Sequence, residues 1–448
     1  MNSRLYNNKS IFNLAWPIAS NAVLLQCILI IDTVLVTPLG EESLAAMGLA
    51  ASIAGIILGV LFAFSNGSQL LIAQAYGAQS PIALKSGFWS GLVINGLAAL
   101  VGIVVIVFLS DAIFSAIATT DAMATQSKDY LLIFMGVIVG VAISHNITVL
   151  FNGTGNSKLP FYSNLLELPV NAGISYALIY GLWGFPQLGL SGAAWGSVVA
   201  VCLRTVFLVG CLFVTKQTFI LMNGWAKGRF SQALKHHYNQ SIHIAITFIS
   251  MSITMHVCMM LYAKLGVNQF AALVLILPWV RIAGNIVTAW AQATGILVGQ
   301  ILGQNRWELL DSFVKRSWRF SVYISILVAA IYFGMFFLFE VLYPDLQSDT
   351  MEALWSLMPL LLIIPFVRTS NTMCGHVLRA GGEAPHVLKI HGYTQWLLTV
   401  PLTALFVLYW DLSVVWIYGI ILLEEIVKSV PFHIRMLSGV WKRRLVND

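Results

Sequence analysis

The sequence predicts an all-α integral membrane protein, and three observations carry that prediction. Of its 448 residues, 58% are hydrophobic and only 9% charged, whereas a soluble domain carries about 25% charge. Apolar segments recur from end to end, each roughly 20 residues and so able to cross a hydrocarbon layer about 30 Å thick. Lysines and arginines collect in alternate connections, as membrane topology requires. That placement accounts for the net charge of +6 without a nucleic-acid partner.

Twelve spans are expected, at residues 11–36, 44–73, 87–109, 130–151, 161–182, 189–213, 241–263, 269–297, 320–342, 353–374, 394–410 and 413–433. The charges test this count. With the N-terminus in the cytoplasm, all but five of the 24 Lys and Arg residues fall on the inner side. Lys128 and Lys264 fall outside, and Arg204, Arg281 and Arg368 lie within spans. Acids lean outward, among them Glu41, Glu42, Asp111, Asp345 and Asp411. Both termini are therefore expected in the cytoplasm. The opening MNSRLYNNKS is polar and basic, but the run after it is of spanning length with no small-residue cleavage site, so no signal peptide is expected. The five cysteines all lie inside spans without a C-x-x-C pair, which suits small apolar fillers better than disulfides or a metal site.

The two halves repeat. At an offset of 226 residues Ala45-Ala46 aligns with Ala271-Ala272, Gln74 with Gln300 and Gly77 with Gly303. A second echo pairs NGTGNSKLP at 152–160 with RAGGEAP at 379–385. Six spans repeated once give two pseudo-symmetric six-helix lobes, a common transporter plan. The expected division is an N-lobe at 1–213, a cytoplasmic linker at 214–240 and a C-lobe at 241–448. The amphipathic linker segment ILMNGWAKGRF is expected to lie on the inner membrane surface.

Asp32 is the leading candidate for function. An acid at the centre of a membrane helix costs about 2.5 to 3.5 kcal/mol on insertion scales, and such acids usually serve a function. It stands six residues before Pro38, about 9 Å below the outer end of its span. In the fifth span Asn171 and Ser175 share a face at i and i+4, with Ser175 near the depth of Asp32, and Ser197 of the sixth span is placed to join them. A carboxylate among amide and hydroxyl oxygens can bind a proton or a hard cation such as Na⁺. A hydrogen bond between helices without titration is the plainer alternative.

These residues resemble the MATE (multidrug and toxic compound extrusion) exporters over nearly the whole chain. The resemblance rests on LAWPIASN with Pro17, IIDTVLVTPLGEESLAAMGLAASI with Asp32, QAYGAQ, the NGTGNSKLP loop, NAGISYALIYG with LGLSGAAWGS, and VGQILGQN. It implies twelve helices in two lobes, V-shaped, and drug efflux driven by H⁺ or Na⁺ antiport. Asp32 is similar to the family's essential first-helix acid, Pro17 to the proline at which that helix bends, and Asn171 to the Asn of the fifth-helix N-x-x-x-D motif. Ser175 departs from the pattern, since many members carry the Asp there; this weakens a Na⁺ site and favours H⁺. The acids that NorM-type members carry in helices seven and ten are also missing, with Arg368 in the tenth span, which argues against a second-lobe cation site of that type.

Other charges are weighed in the same way. Glu167, one turn before Asn171, reads either as a proton relay or as the partner of a cytoplasmic-side Lys. Glu424 and Lys428 read as an i,i+4 pair. Arg204, Arg281 and Arg368 read as partners of acids or helix carbonyls, His145, His256 and His376 as hydrogen-bonded bundle residues, and His236-His237 as part of a loop. The Trp, Phe and Met content fits a soft drug cavity and interfacial belts equally well. GTGNSK lacks the P-loop pattern and no hydrolase motif occurs, so ion-gradient energy is expected and no nucleotide or other cofactor.

The expected function is a monomeric, multi-pass antiporter of the bacterial inner membrane. It exports organic, cationic amphiphilic compounds for H⁺, with Na⁺ the less favoured ion, and resides in the lipid bilayer. One rival is a lipid-linked oligosaccharide flippase of the same superfamily, which calls for more spans and an Arg-rich cavity. The other is an intramembrane enzyme, which needs a second cluster of polar residues on neighbouring helices.

Overall fold

The computed structural model describes residues 7–221, 230–343 and 346–446, apart from the side chains of Glu340 and Leu342. Its twelve helices run in chain order as α1 (Asn8–Val36), α2 (Glu41–Gly77), α3 (Pro81–Ile117), α4 (Asp121–Gly153), α5 (Lys158–Tyr180) and α6 (Leu190–Val214), then α7 (Phe230–Tyr262), α8 (Val267–Gly303), α9 (Trp307–Leu342), α10 (Ser348–Ala380), α11 (residues 384–408) and α12 (Val414–Leu437). Helix α10 is broken at Leu357. Helix α11 comprises Ala384–Tyr393, a π-helical stretch at Thr394–Thr399, and Val400–Leu408. Among the described residues no strand occurs, and nine helices are long and apolar enough to cross a membrane. The other three are α5, α11 and α12, which carry Glu167 with Pro169, the π-helical stretch, and Glu424, Glu425 and Lys428.

Each helix covers its expected span to within two residues at either end, and most extend past it at one end or both. Helices α2, α3 and α8 have 37 residues each, about 55 Å at 1.5 Å per residue. Their polar ends protrude beyond the hydrocarbon and leave no signal in hydropathy. For the same reason α7 begins at Phe230, so residues 230–240 of the expected linker are helical. Thr218–Ile220 form a single 3-10 turn, and residues 222–229 of the expected interfacial segment lie outside the described residues.

The repeat is visible in the element boundaries. Helices α2 and α8 start and end 226 residues apart, α1 and α7 end 226 apart, and α4 and α10 start and end 227 apart. By contacts the chain forms two compact units. One contains residues 20–76 and 80–242, around Ala46, Leu61, Ile138, Ile179 and Ala193. The other contains the chain up to Ala19, residues 77–79 and the chain from His243, around Ala272, Phe336, Leu361 and Ile417. Helix α1 leaves one unit for the other two residues after Pro17, and α7 does so after Ile242. The unit boundaries therefore fall within α1 and α7, the second of them two residues past the expected start of the C-lobe at 241.

Local chemistry sets the helix ends. The Ser80 hydroxyl accepts from Ala83 N at 3.3 Å and the Thr120 hydroxyl from Met123 N at 3.1 Å, each satisfying one of the free amides of a first turn. Gly181 ends α5 in the left-handed region at φ +71°, where a side chain is strained.

Helices α5 and α6 are packed backbone to backbone. A Cβ on Gly192 would lie 2.6 Å from the carbonyl carbon of Leu178, and one on Gly196 would meet Ser175 Oγ. GAAWG thus works as a small-xxx-small contact. Gly173, on α5, has nothing near its missing Cβ. Gly192→Leu is expected to destabilise the protein by about 1–3 kcal/mol through overpacking, and Gly173→Ala to leave it unchanged. Thermal unfolding in detergent checks both.

Candidate functional site

The close approach of α5 and α6 brings Asn171 and Ser197 together. Asn171 Nδ2 donates to Ser197 Oγ at 3.0 Å, and both side chains are buried. The Ser197 hydroxyl in turn faces the Asp32 carboxylate on α1. Asp32 is 6% exposed and Asn171 1%, and neither Asp32 Oδ1 nor Asn171 Oδ1 has a hydrogen-bond partner among the described residues. Two buried acceptor oxygens without donors are costly unless something supplies a proton or positive charge. Tyr130 of α4 and Glu167 of α5 lie near enough to Asp32 to interact with its charge. Tyr180 OH holds the C-terminal end of α1 by donating to Leu35 O at 2.8 Å.

Ser175 is placed differently from the expectation. Its hydroxyl donates to Ala193 O at 3.5 Å and abuts Gly196. The residue shares a face with Asn171 but sits where α5 and α6 touch, and its short side chain is taken up by that contact.

One turn below Asn171 lies a second polar group. Arg204 Nη1 is 2.9 Å from Glu167 Oε2, with both side chains less than a tenth exposed. The same guanidinium donates to Ser144 Oγ at 2.5 Å and to Asn164 Oδ1 at 3.4 Å. Asn164 Nδ2 donates on to Asn21 Oδ1 at 3.1 Å. Glu167 is therefore paired with an arginine inside the bundle and not with a cytoplasmic lysine. Arg204 carried a signal in the sequence: it follows Ser197 by seven residues, two helical turns, and so lies on the same face. Pro169, between Glu167 and Asn171 within α5, removes a backbone donor there.

His237 also departs from expectation. It is 1% exposed within α7, with Nε2 2.8 Å from Ser68 Oγ and Nδ1 2.6 Å from Ser90 Oγ. His256 Nδ1 bonds Ser252 O at 2.7 Å. Pro17 lies inside α1, where its missing N–H frees the carbonyl of Asn13 and permits a bend. In the second half Lys428 Nζ is 2.6 Å from Glu424, and Arg368 Nε 3.2 Å from Glu425. Among the described residues no three His, Cys, Asp or Glu converge as a metal site.

Twelve long helices in an internal repeat, with polar side chains converging inside each half, define a polytopic membrane transporter. The MatE family model matches residues 17–177 and 244–419. The chain belongs to this family, the MATE transporters, which are secondary transporters and not enzymes. It is 24% identical over 457 residues to the probable multidrug resistance protein NorM of Thermotoga maritima, covering 98% of this chain and 94% of that one. A MOP superfamily transporter from Pyrococcus furiosus superposes with a TM-score of 0.85 at 19% identity, over 98% of each chain. A MATE transporter in a bent conformation does so with a TM-score of 0.85 at 19% identity, over 97% of each.

The Arg204–Glu167 pair yields a prediction. Arg204→Met leaves a buried carboxylate without its cation and is expected to cost about 3–5 kcal/mol. Adding Glu167→Gln is expected to recover most of that loss. Thermal unfolding of both variants measures the coupling.

Proposed function

We propose that the protein is a multidrug efflux antiporter that exports organic, cationic amphiphilic compounds in exchange for H⁺, with Asp32 as the coupling carboxylate. The observation that carries this reading is the pair of buried, undonated oxygens on Asp32 and Asn171 on either side of the Ser197 hydroxyl. A proton on Asp32 would give the cluster the donor it lacks. Three oxygen-bearing side chains could also ligate Na⁺, but one of the three is the only carboxylate. Ser175, spent on the α5–α6 contact, adds no charge. The multidrug names of relatives such as the Thermotoga protein support the substrate class.

Protonation must favour one conformation over the other for exchange to follow. In the proposed cycle Asp32 takes a proton from the outer side, α1 bends at Pro17 and substrate leaves. After reorientation the proton departs inward, with Glu167 and Arg204 as the next polar station. A gradient of one pH unit supplies about 1.4 kcal/mol per proton, enough to hold a tenfold gradient of a singly charged substrate in electroneutral exchange. The charge pattern supports cytoplasmic termini, and with bacterial relatives it supports an inner-membrane protein.

In everted vesicles, ΔpH alone is expected to drive efflux of a fluorescent cation by the wild type, and Asp32→Asn to abolish it. Efflux driven only by a Na⁺ gradient would overturn the proton assignment. Pro17→Ala is expected to lower the efflux rate at unchanged expression, by stiffening α1. An unchanged rate would remove the bend from the cycle.

A further inference from the structure

Helix α8 carries a polar stripe that its own half leaves uncovered. Ala272, Leu273, Ile276, Ala283 and Val287 belong to the core of the second unit. Arg281, Asn285, Thr288 and Gln292 recur at i, i+4, i+7 and i+11, a spacing that keeps them on one helix face. That face points away from the core, since Arg281 lies five residues beyond Ile276 and so about 140° around the helix. Arg281 and Thr288 are exposed, and Asn285 and Gln292 are half-buried.

The charge at the head of this stripe lies deep in the span. Arg281 is 12 residues from the expected span boundary at 269 and 16 from the one at 297, about 18 and 24 Å along the axis. Neither distance is bridged by an arginine side chain that snorkels toward water. A cation facing lipid at such a depth costs at least about 2.5–3.5 kcal/mol, and intramembrane charges usually face a partner or a water-filled path. The other two arginines expected within spans have partners, Arg204 in Glu167 at 2.9 Å and Arg368 in Glu425 at 3.2 Å. Arg281 departs from the same expectation, with no ion pair or hydrogen bond among the described residues.

The repeat does not call for this charge either. At the offset of 226 residues Arg281 aligns with Gly55, Asn285 with Gly59 and Thr288 with Phe62. Gly55 is exposed, with open space where its Cβ would stand. The guanidinium therefore serves neither the packing nor the charge balance of its own half.

We propose that Arg281 is a substrate-recognition residue, binding the carboxylate of amphiphiles that carry an anionic group beside their cationic one. The inference rests on the efflux reading above and narrows its substrate class toward zwitterions.

The chemistry of the stripe fits such a molecule. A guanidinium stays charged throughout the physiological pH range, and its planar fork of donors matches a carboxylate. It repels a compound that is only cationic, and a carboxylate on the same molecule offsets that repulsion. Thr288 lies about 10 Å further along the face. Its hydroxyl donates to Gly284 O at 3.0 Å, so it presents lone pairs outward, suited to the positive end of the bound molecule.

The test is dye binding to purified full-length protein in phosphatidylcholine nanodiscs, read by fluorescence polarisation. The probes are tetramethylrhodamine, whose free carboxylate makes it a zwitterion, and its ethyl ester, which is only a cation. Wild type is expected to bind the acid more tightly than the ester. Arg281→Gln is expected to weaken the acid about tenfold and to leave the ester unchanged or tighter, while Arg281→Lys keeps the charge and the preference. An acid-to-ester ratio that Arg281→Gln leaves at the wild-type value overturns the proposal and leaves the efflux reading intact. Equal affinity of wild type for the two dyes overturns it without any variant, should Arg281→Gln fail to fold. Wild type that binds neither dye contradicts the efflux reading, and this proposal with it. Phosphatidylglycerol added to the nanodisc separates a lipid phosphate from a substrate carboxylate. An acid preference that survives it supports the proposal, and one that it abolishes assigns the guanidinium to a headgroup and overturns the substrate role.

Discussion

Most of the first-half site depends on the approach of α5 to α6. Because Gly192 and Gly196 let the two backbones touch, Asn171 and Ser197 reach 3.0 Å, and the serine hydroxyl is held where it faces Asp32. The same contact takes up Ser175. A bulkier pair of helices would separate Asn171 from Ser197 and leave Asp32 as an isolated carboxylate in an apolar bundle, at the full cost of an intramembrane acid. The contact thus decides both which side chains surround the acid and which one is withheld from it.

Charge is handled differently at the two levels of the site. Around Asp32 the nearest partners are neutral, so adding a proton changes the balance of the group directly. One turn deeper, Glu167 and Arg204 neutralise each other and are further tied to Ser144, Asn164 and Asn21. Removing one partner of such a buried pair is far more damaging than removing both. The pair therefore ties α4, α5 and α6 together next to Asp32.

Much of this was legible in the sequence. Span positions, the repeat at 226 residues and the singular position of Asp32 all follow from hydropathy, spacing and the cost of a buried acid. What periodicity gives is the face of a helix, and not the neighbour that face meets. So it places Ser175 correctly on the face of Asn171 but cannot show that Gly196 closes against it. The polar first turns of α7 and α9 leave no trace in hydropathy, which explains the displaced linker boundary and the misplaced His237. The pairing of Glu167 with Arg204, and of Glu425 with Arg368, requires helices distant in sequence to come together. The π-helical stretch in α11 breaks the 3.6-residue period on which face assignments rely.

The central claim is that protonation of Asp32 and binding of substrate are linked. Linkage is reciprocal, so a substrate that binds the deprotonated form must expel a proton. The most direct measurement is the number of protons released per tetraphenylphosphonium bound by purified protein in weak buffer, for wild type and Asp32→Asn. The account predicts release by wild type and a reduced count in the variant at comparable binding. An unchanged count in Asp32→Asn would contradict it.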